Sequence, residues 1–177
     1  MLVTREPGGT PVGEKIRGLL LADDMTPRTE TLLFFAARAE HAETKILPAL
    51  ASDTWVLSDR FTDATYAYQV GGKGFSGSEV EALETWTLGA FRPDGTVLFD
   101  LSPEVAAARR AVRSGGDDRF ERESAEFFAR VREAYLDRAQ RNPERFLIVN
   151  AESSADEIER EIARWVDSLV RRKGGEA

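Results

Sequence analysis

The apolar positions along the chain follow two different spacings, which predict short strands separated by helices. Residues 54–58, 96–100 and 146–150 form short apolar runs without polar alternation. Parallel strands that are covered on both faces have this pattern. Leu2-Val3, just before a Pro-Gly-Gly turn, predicts the end of a further short strand. Because helical segments separate the strands, we expect right-handed crossovers and a parallel sheet.

Helical spacing of apolar residues and capping signals predict the helices. Thr10 caps a first helix, which has Pro11 at its first position and ends near Leu21. Thr26-Pro27 begins a second, longer helix, and Pro48 should bend or loosen its last turn. The apolar residues of this second helix are Leu32, Leu33, Ala36, Ala37, Ile46, Leu47 and Leu50.

Three further helices are predicted around residues 80–87, after Pro103 and over residues 127–139. A capping box, Ser154 with Glu157, begins a last helix whose apolar stripe extends to Leu169. The residues from 171 onward are expected to fray.

Composition narrows the possible function classes. A length of 177 residues suggests one domain, and a hydrophobic content of 42% can fill a core. The net charge of −7 argues against a general nucleic-acid binder, which needs a basic face. The sequence has no cysteine, no signal peptide and no apolar run long enough to span a membrane. We therefore expect a cytoplasmic protein with neither a membrane nor a nucleic-acid partner.

Two short runs carry the candidate chemistry: T-R-E-P-G-G-T at residues 4–10 and L-S-D-R-F at residues 57–61. The second places Asp59-Arg60 at the carboxyl end of a strand, where open α/β sheets bind ligands. Taken alone, this pair is typical of a helix cap and its ion pair. However, a second strand ends in Arg5-Glu6, and an arginine-rich loop from Arg109 to Glu121 follows a third. Converging arginines favour phosphoryl transfer, which needs positive donors and little covalent work by the protein.

With L-L-F-F-A-A-R at residues 32–38 and A-Y-Q at residues 67–69, these runs resemble the thymidylate kinase family. The similarity extends from near the start of the chain to about Asn150. It implies an α/β fold of the P-loop nucleoside-monophosphate-kinase type, a three-layer parallel sheet with helices on both faces. It implies a single domain, residues 1–177, with a lid at about residues 109–122.

The same resemblance implies an activity and its partners. The γ-phosphoryl group of Mg-ATP is transferred to dTMP, giving dTDP and ADP. The cofactor is Mg²⁺, ATP is the co-substrate, and the protein is a homodimer through its helical face.

The resemblance also assigns the phosphate end of the site. Arg60 holds the acceptor phosphate, and Arg17 reaches the same group. Asp59 orients this phosphate or holds Mg²⁺ through water. Arg113 and Arg119 of the lid close over the transferring phosphate and exclude water.

The base and sugar are assigned to helical residues. Phe34 and Arg38 lie on one helix face, so they can stack on the base and donate to its carbonyl. The alternative is a core Phe with a surface Arg; Phe35 is expected in the core. By resemblance, the other substrate-binding residues are Glu6 and Pro7, Thr65 and Gln69 at the pyrimidine edge, and Tyr68 beside the sugar.

The chain departs from the family pattern at single positions. Ala64 replaces a usual Ser or Thr, Val70 replaces a usual Gly, and Gly95 interrupts a usual P-D-L-T. The only histidine, His41, lies on a charged helix face and is expected to be solvated. The three tryptophans are expected to make core or dimer contacts; they are Trp55, Trp86 and Trp165.

The 177 residues contain no G-x-x-x-x-G-K-[ST] phosphate loop. In the family, the strand bearing this loop lies between the strands that end at Asp59 and Asp100. We therefore expect an amino-terminally truncated chain without this central strand, in which those two strands lie roughly 10 Å apart. Such a chain is expected to be impaired, with poor Mg-ATP binding. The alternatives are a shortened chain or late start site, a degenerate non-catalytic nucleotide-binding paralogue, and another deoxynucleoside or nucleoside-monophosphate kinase.

Overall fold

A computed structural model of the chain describes residues 1–111, 119–120 and 122–174. Its described residues form an α/β protein in which short parallel strands alternate with helices. The strands are β1 (Leu2–Arg5), β2 (Val56–Asp59), β3 (Thr96–Asp100) and β4 (Phe146–Asn150). The helices are α1 (Pro11–Ala22), α2 (Pro27–His41), α3 (Leu47–Ala51), α4 (Thr62–Thr65), α5 (Gly77–Leu88), α6 (Pro103–Ala111), α7 (Ala125–Arg141) and α8 (Ala155–Gly174). Two π-helical segments, Ala42–Ile46 and Tyr66–Gly72, follow α2 and α4.

The strands pair in parallel, as the sequence predicts, but they form two separate sheets. β1 pairs with β2, with Arg5 opposite Asp59, and β3 pairs with β4, with Asp100 opposite Asn150. In the part of the chain that the structure describes, each sheet therefore has two strands, and the single three-layer sheet of the prediction is not observed. The distance between β2 and β3 stays a prediction.

The strands are not covered on both faces, contrary to the prediction. Leu57 of β2 and Phe99 of β3 are each 56% exposed. Along β2 half-buried and exposed positions alternate. This alternation is typical of a sheet with one packed face, because successive side chains point to opposite sides.

The first of two compact units comprises the described residues of 1–91 and 115–134. Its core contains buried apolar side chains from α1, α2, α5 and α7, namely Leu20, Phe35, Ala37, Val80, Phe127 and Val131. α7 approaches the π-helical segment Tyr66–Gly72 very closely. A Cβ atom at Gly72 would lie 2.4 Å from the Phe127 ring, so this contact requires a glycine.

The second unit comprises the described residues of 92–114 and 135–177. α8 packs on β4, in which Val149 is completely buried. Gly95 precedes β3, and a Cβ atom there would lie 2.5 Å from the Trp165 ring of α8. Gly95, which interrupts the family pattern, is therefore needed for this packing.

The helix boundaries largely follow the predicted signals. Thr10 caps α1, and its Oγ1 accepts a hydrogen bond from the Gly13 amide. The last helix extends through Gly174, further than predicted. The predicted second helix is interrupted at Ala42–Ile46 by π-helical geometry, just before Pro48. A proline ring clashes with the carbonyl four residues earlier in a regular α-helix, and the wider π turn avoids that clash.

α2 buries a polar stripe in addition to part of the predicted apolar face, to which the buried Ala37 belongs. Leu32 is 50% exposed, whereas Glu30, Arg38 and His41 are buried. With Phe34, the three buried polar residues follow a spacing of four, four and three, which places them on one helix face. The polar face of α2 therefore points into the unit. In the described part of the chain, no helix combines the length and the apolar character needed to cross a lipid bilayer.

Candidate functional site

The carboxyl ends of β1 and β2 bring the two sequence runs together. Arg5 lies opposite Asp59, and the Glu6 amide donates a 2.9 Å hydrogen bond to the Asp59 carbonyl. The segment after β1 and the Asp59-Arg60 pair therefore share one edge of the sheet. This is the edge at which parallel α/β sheets bind ligands.

Arg60 has an uncommon backbone conformation at this edge. Its φ angle is +67°, in the left-handed region that non-glycine residues seldom occupy. The exposed side chain turns toward α4 and the following segment, and Cζ lies 4.8 Å from the centroid of the Tyr68 ring. Strained backbone of this kind clusters at functional sites, because other contacts must hold it in place.

A buried chain of polar side chains joins the β1 segment to α2. The Nε atom of Arg38 donates to Oε2 of Glu6 at 2.8 Å. The other carboxylate oxygen, Oε1, bonds to Nδ1 of His41 at 3.0 Å. The second ring nitrogen of His41 bonds to the Thr4 hydroxyl at 2.7 Å. The prediction of a solvated His41 is wrong, because the segment after β1 supplies a partner to each ring nitrogen.

The Arg38 guanidinium is held on several sides and keeps one donor group unused. Nη2 donates to Oγ1 of Thr65 at 3.1 Å, and Cζ lies 4.8 Å from the Phe35 ring centroid. Nη1 is buried and has no hydrogen-bond partner among the described residues. Buried donors are almost always satisfied in proteins, so an unused one calls for an explanation. The alternative of a surface Arg is wrong, since Arg38 is only 1% exposed.

Aromatic side chains connect Phe34 to the Arg60 side of the site. The rings of Phe34 and Phe120 have centroids 6.1 Å apart, and those of Tyr68 and Phe120 are 6.0 Å apart. Phe120 thus touches both residues predicted to bind the base and sugar. Phe120 is not among the residues predicted for the site, although a single aromatic residue in a charged loop is a signal that could have identified it.

Glu30 lies at the centre of a second buried cluster. Its carboxylate, which is completely buried, accepts hydrogen bonds from Gln69 Nε2 and Lys73 Nζ, each at 2.8 Å, and from Arg119 Nη2. The Nε atom of Arg119 also donates to the Leu20 carbonyl at 3.2 Å. Gln69 and Arg119, to which the family resemblance gives roles at the base and at the phosphate, are therefore both bound to Glu30 in this structure.

Two side chains of α1, Arg17 and Glu14, form hydrogen bonds to the turn that follows β1. Arg17, which is half-buried, donates from Nη1 to the Pro7 carbonyl at 3.1 Å. Glu14 accepts from the Gly9 amide at 2.9 Å and forms an ion pair with Arg5. The hydrogen bond from Gly9, followed by the bond from Arg5, lowers the pKa of Glu14 below its ordinary value. These contacts hold the turn against α1, next to the edge that β1 and β2 share.

Some residues singled out from the sequence lie away from this site or outside the described residues. Arg113 lies outside the described residues. Arg109 belongs to α6, where Nη2 donates to the Ala151 carbonyl at 3.0 Å. Trp55 and Trp86 are exposed and so do not belong to the core, whereas Trp165 packs on Gly95.

The described residues contain no cluster of three acidic or histidine side chains that could enclose a metal ion. Mg²⁺ bound together with nucleotide phosphates needs only one or two carboxylates, with waters completing its coordination. Asp59 is an exposed carboxylate at the ligand-binding edge and fits this requirement. It is therefore the residue that would hold Mg²⁺.

Comparisons with known proteins agree with one another. The sequence profile described as "Thymidylate kinase" matches residues 1–162. The thymidylate kinase of Burkholderia vietnamiensis is 52% identical over 96% of this chain and 82% of its own length. That of Thiobacillus denitrificans is 52% identical over 96% of this chain and 83% of its own length.

A solved structure supports the same assignment at the level of the fold. The crystal structure of thymidylate kinase from Ehrlichia chaffeensis aligns with a TM-score of 0.76 and 29% sequence identity. The alignment covers 94% of this chain and 80% of the other. The profile match and the two identities are high enough to decide membership, and the chain belongs to the thymidylate kinase family.

Proposed function

We propose that the protein phosphorylates dTMP, transferring the γ-phosphoryl group of Mg-ATP to give dTDP and ADP. The observation that carries the proposal is the unused Nη1 donor of Arg38, buried beside a site that already contains aromatic rings. A buried guanidinium with a free donor suits a ligand with a carbonyl oxygen. The thymine base presents such an oxygen.

The base and the sugar would lie between α2 and the segment that follows α4. Phe34 stacks on the base, and Arg38 donates from Nη1 to a base carbonyl. Thr65 already accepts a bond from Arg38, which leaves its hydroxyl hydrogen free for the pyrimidine edge. Gln69 donates to Glu30, so its amide oxygen is the atom turned to the ligand. Tyr68 limits the space beside the sugar.

The acceptor phosphate would lie at the shared edge of β1 and β2. Arg60 and Arg17 are the cations there, and Glu6 and Pro7 form the wall through their bonds to Arg38 and Arg17. The nucleophile is a phosphate oxygen that is already negative, so the site needs no general base. The chemistry therefore depends on positioning and charge neutralisation.

Asp59 would hold Mg²⁺ through water, and when bound this ion neutralises charge on the nucleotide phosphates. Arg113 and Arg119 are proposed as the arginines that approach the transferring group. In this structure Arg119 pairs with Glu30, so its catalytic use requires that pair to open.

A homodimer in the cytoplasm is the proposed form of the protein. Exposed apolar side chains on two neighbouring helices support an interface: Leu32 on α2, and Trp86 on α5, which is 86% exposed. Arg28 and Glu79 join these helices by a 3.0 Å ion pair. Apolar surface of this kind marks interaction sites, and light scattering in solution measures the mass directly.

A second candidate function is nucleotide binding without turnover. It is favoured by one observation: Arg119, a proposed catalytic arginine, is bound to the buried Glu30 carboxylate. A protein in which that pair stays closed would bind dTMP without transferring a phosphoryl group to it.

Two measurements on the same protein separate the candidates. Calorimetric titration gives the affinities for dTMP, dCMP and AMP, and a coupled assay gives ADP formation with each acceptor. A dTMP kinase prefers dTMP in both measurements. Preference for dTMP in binding without any ADP formation identifies a binding protein. If dTMP is not the preferred ligand in either measurement, the proposal is wrong.

A further inference from the structure

We infer that His41 is a positioning residue for base recognition, acting through the Glu6 carboxylate on the Arg38 guanidinium. The inference rests on the proposed function, in which Arg38 binds the base of dTMP. His41 follows Arg38 by one turn of α2, and it is completely buried. Both of its ring nitrogens bond to the segment that begins with β1.

The bond to Glu6 places a hydrogen on the Nδ1 atom of His41. An ionised carboxylate only accepts, so the Nδ1 atom of His41 carries a proton and donates to Oε1 of Glu6. In the neutral ring Nε2 accepts from the Thr4 hydroxyl, and in the protonated ring it donates to that hydroxyl. In both states Nδ1–H stays on Glu6, so the contact that matters does not depend on the charge of the ring.

This contact controls how Glu6 binds Arg38. A carboxylate beside a guanidinium tends to bind it through two parallel hydrogen bonds. Here only Oε2 bonds to Arg38, at Nε, because His41 occupies Oε1. If the histidine bond is removed, Oε1 is free to compete for Nη2–H, which lies on the same side of the guanidinium as Nε–H and bonds to Thr65 in this structure. His41 thereby keeps Nη2 on Thr65 and holds the guanidinium in the orientation that leaves Nη1 for the base.

The surroundings leave the imidazole little freedom to turn. A Cβ atom added to Gly9 would lie 2.8 Å from Nε2 of His41 and 2.6 Å from the Thr4 hydroxyl. The turn after β1 thus closes over the ring. Burying four polar side chains in a row costs free energy unless all are bonded, and apolar residues at all four positions would avoid that cost. The polar residue at position 41 is explained by its role, which is to hold the Arg38 guanidinium in one orientation.

The test compares His41→Asn with His41→Leu. The two replacement side chains have nearly the same size, and both lose the bond to Thr4, but only Asn has an N–H near the position of Nδ1. Calorimetry measures the affinity of each variant and of the wild type for dTMP and for dCMP. The inference places Nη1 at the C4 carbonyl oxygen of thymine, because the C2 carbonyl is common to both bases. Cytosine has an amino group at C4, so dCMP cannot accept a hydrogen bond from Nη1 there.

We expect dTMP to bind His41→Leu about tenfold more weakly than His41→Asn, because a bond to a charged group is lost. We expect dCMP to bind the two variants equally. Equal dTMP affinity of the two variants overturns the inference. A parallel loss for dTMP and dCMP also overturns it, since that result indicates general structural damage. If the wild-type protein does not bind dTMP, the proposed function itself is wrong, and this outcome differs from the two that overturn only the role of His41.

Two further comparisons separate an effect on dTMP binding from a loss of stability. Ile46→Ala opens a cavity in the helical segment that continues α2, so it should lower the unfolding temperature with unchanged dTMP affinity. If His41→Leu does not fold, His41→Gln takes its place: its amide lies near the position of Nε2 and can bond to Thr4, but it has no N–H near the position of Nδ1. We expect dTMP to bind His41→Gln about tenfold more weakly than His41→Asn, because the bond to the Glu6 carboxylate is lost. Equal dTMP binding of His41→Gln and His41→Asn then overturns the inference.

Discussion

The Nε atom of Arg38 donates a 2.8 Å hydrogen bond to Oε2 of Glu6, and both side chains are almost completely buried. The two residues come from different elements, α2 and the turn after β1. Their pairing joins the predicted base site to the predicted phosphate site. Because Glu6 also bonds to His41, and Arg38 to Thr65, a change at either residue should affect both stability and ligand binding.

Arg38→Met should destabilise the protein by about 3–5 kcal/mol, because it leaves the Glu6 carboxylate buried without its cation. Urea unfolding measures the loss. Adding Glu6→Gln should recover part of it, since the uncompensated charge is then removed. Additive effects of the two substitutions would contradict the coupling.

Arg60→Gly and Arg60→Ala should both weaken dTMP binding, by about 1.5–3 kcal/mol, because both remove the charged contact to the phosphate. They should differ in stability. Glycine accepts the positive φ of residue 60 without strain, so the Gly variant should be about 1 kcal/mol more stable than the Ala variant. Unchanged dTMP binding in both would remove Arg60 from the site.

Tyr68→Ala should relax discrimination against the ribonucleotide counterpart of dTMP, because it opens space beside the sugar. Tyr68→Phe is the matched control, since it keeps the ring that contacts Arg60 and Phe120. The measured quantity is the ratio of affinities for the two nucleotides. An equal ratio in wild type and the Ala variant would place the sugar discrimination at another residue.

Glu30→Gln should cost about 3–5 kcal/mol of stability, because Arg119 and Lys73 lose the buried carboxylate that they share. Glu79→Gln is the control. It breaks the exposed ion pair with Arg28 and should change stability by about 1 kcal/mol or less. Similar losses for the two variants would mean that the Glu30 cluster contributes little.

The regular elements could be predicted from the sequence because their signals are local. The apolar runs at β3 and β4 and the Thr10 cap are each encoded within a few residues. The two runs at the ends of β1 and β2 also predicted which residues share the carboxyl edge of this sheet. Proximity there follows from parallel pairing alone.

The burial of the polar face of α2 could not be predicted in this way. Glu30 and His41 follow a helical spacing that normally indicates a solvated face. Their partners are distant in sequence: Thr4 and Glu6 for His41, and Arg119 for Glu30. A polar cluster whose members come from several elements is visible only once the chain has folded.

A crystal structure of the protein with bound dTMP tests the central claim most directly. The measured quantity is the distance from Nη1 of Arg38 to the nearest oxygen of the base. The account predicts a hydrogen bond of about 3 Å, with the base against Phe34 and the phosphate at Arg60. A base bound away from Phe34, with Nη1 of Arg38 still unpaired, would contradict it.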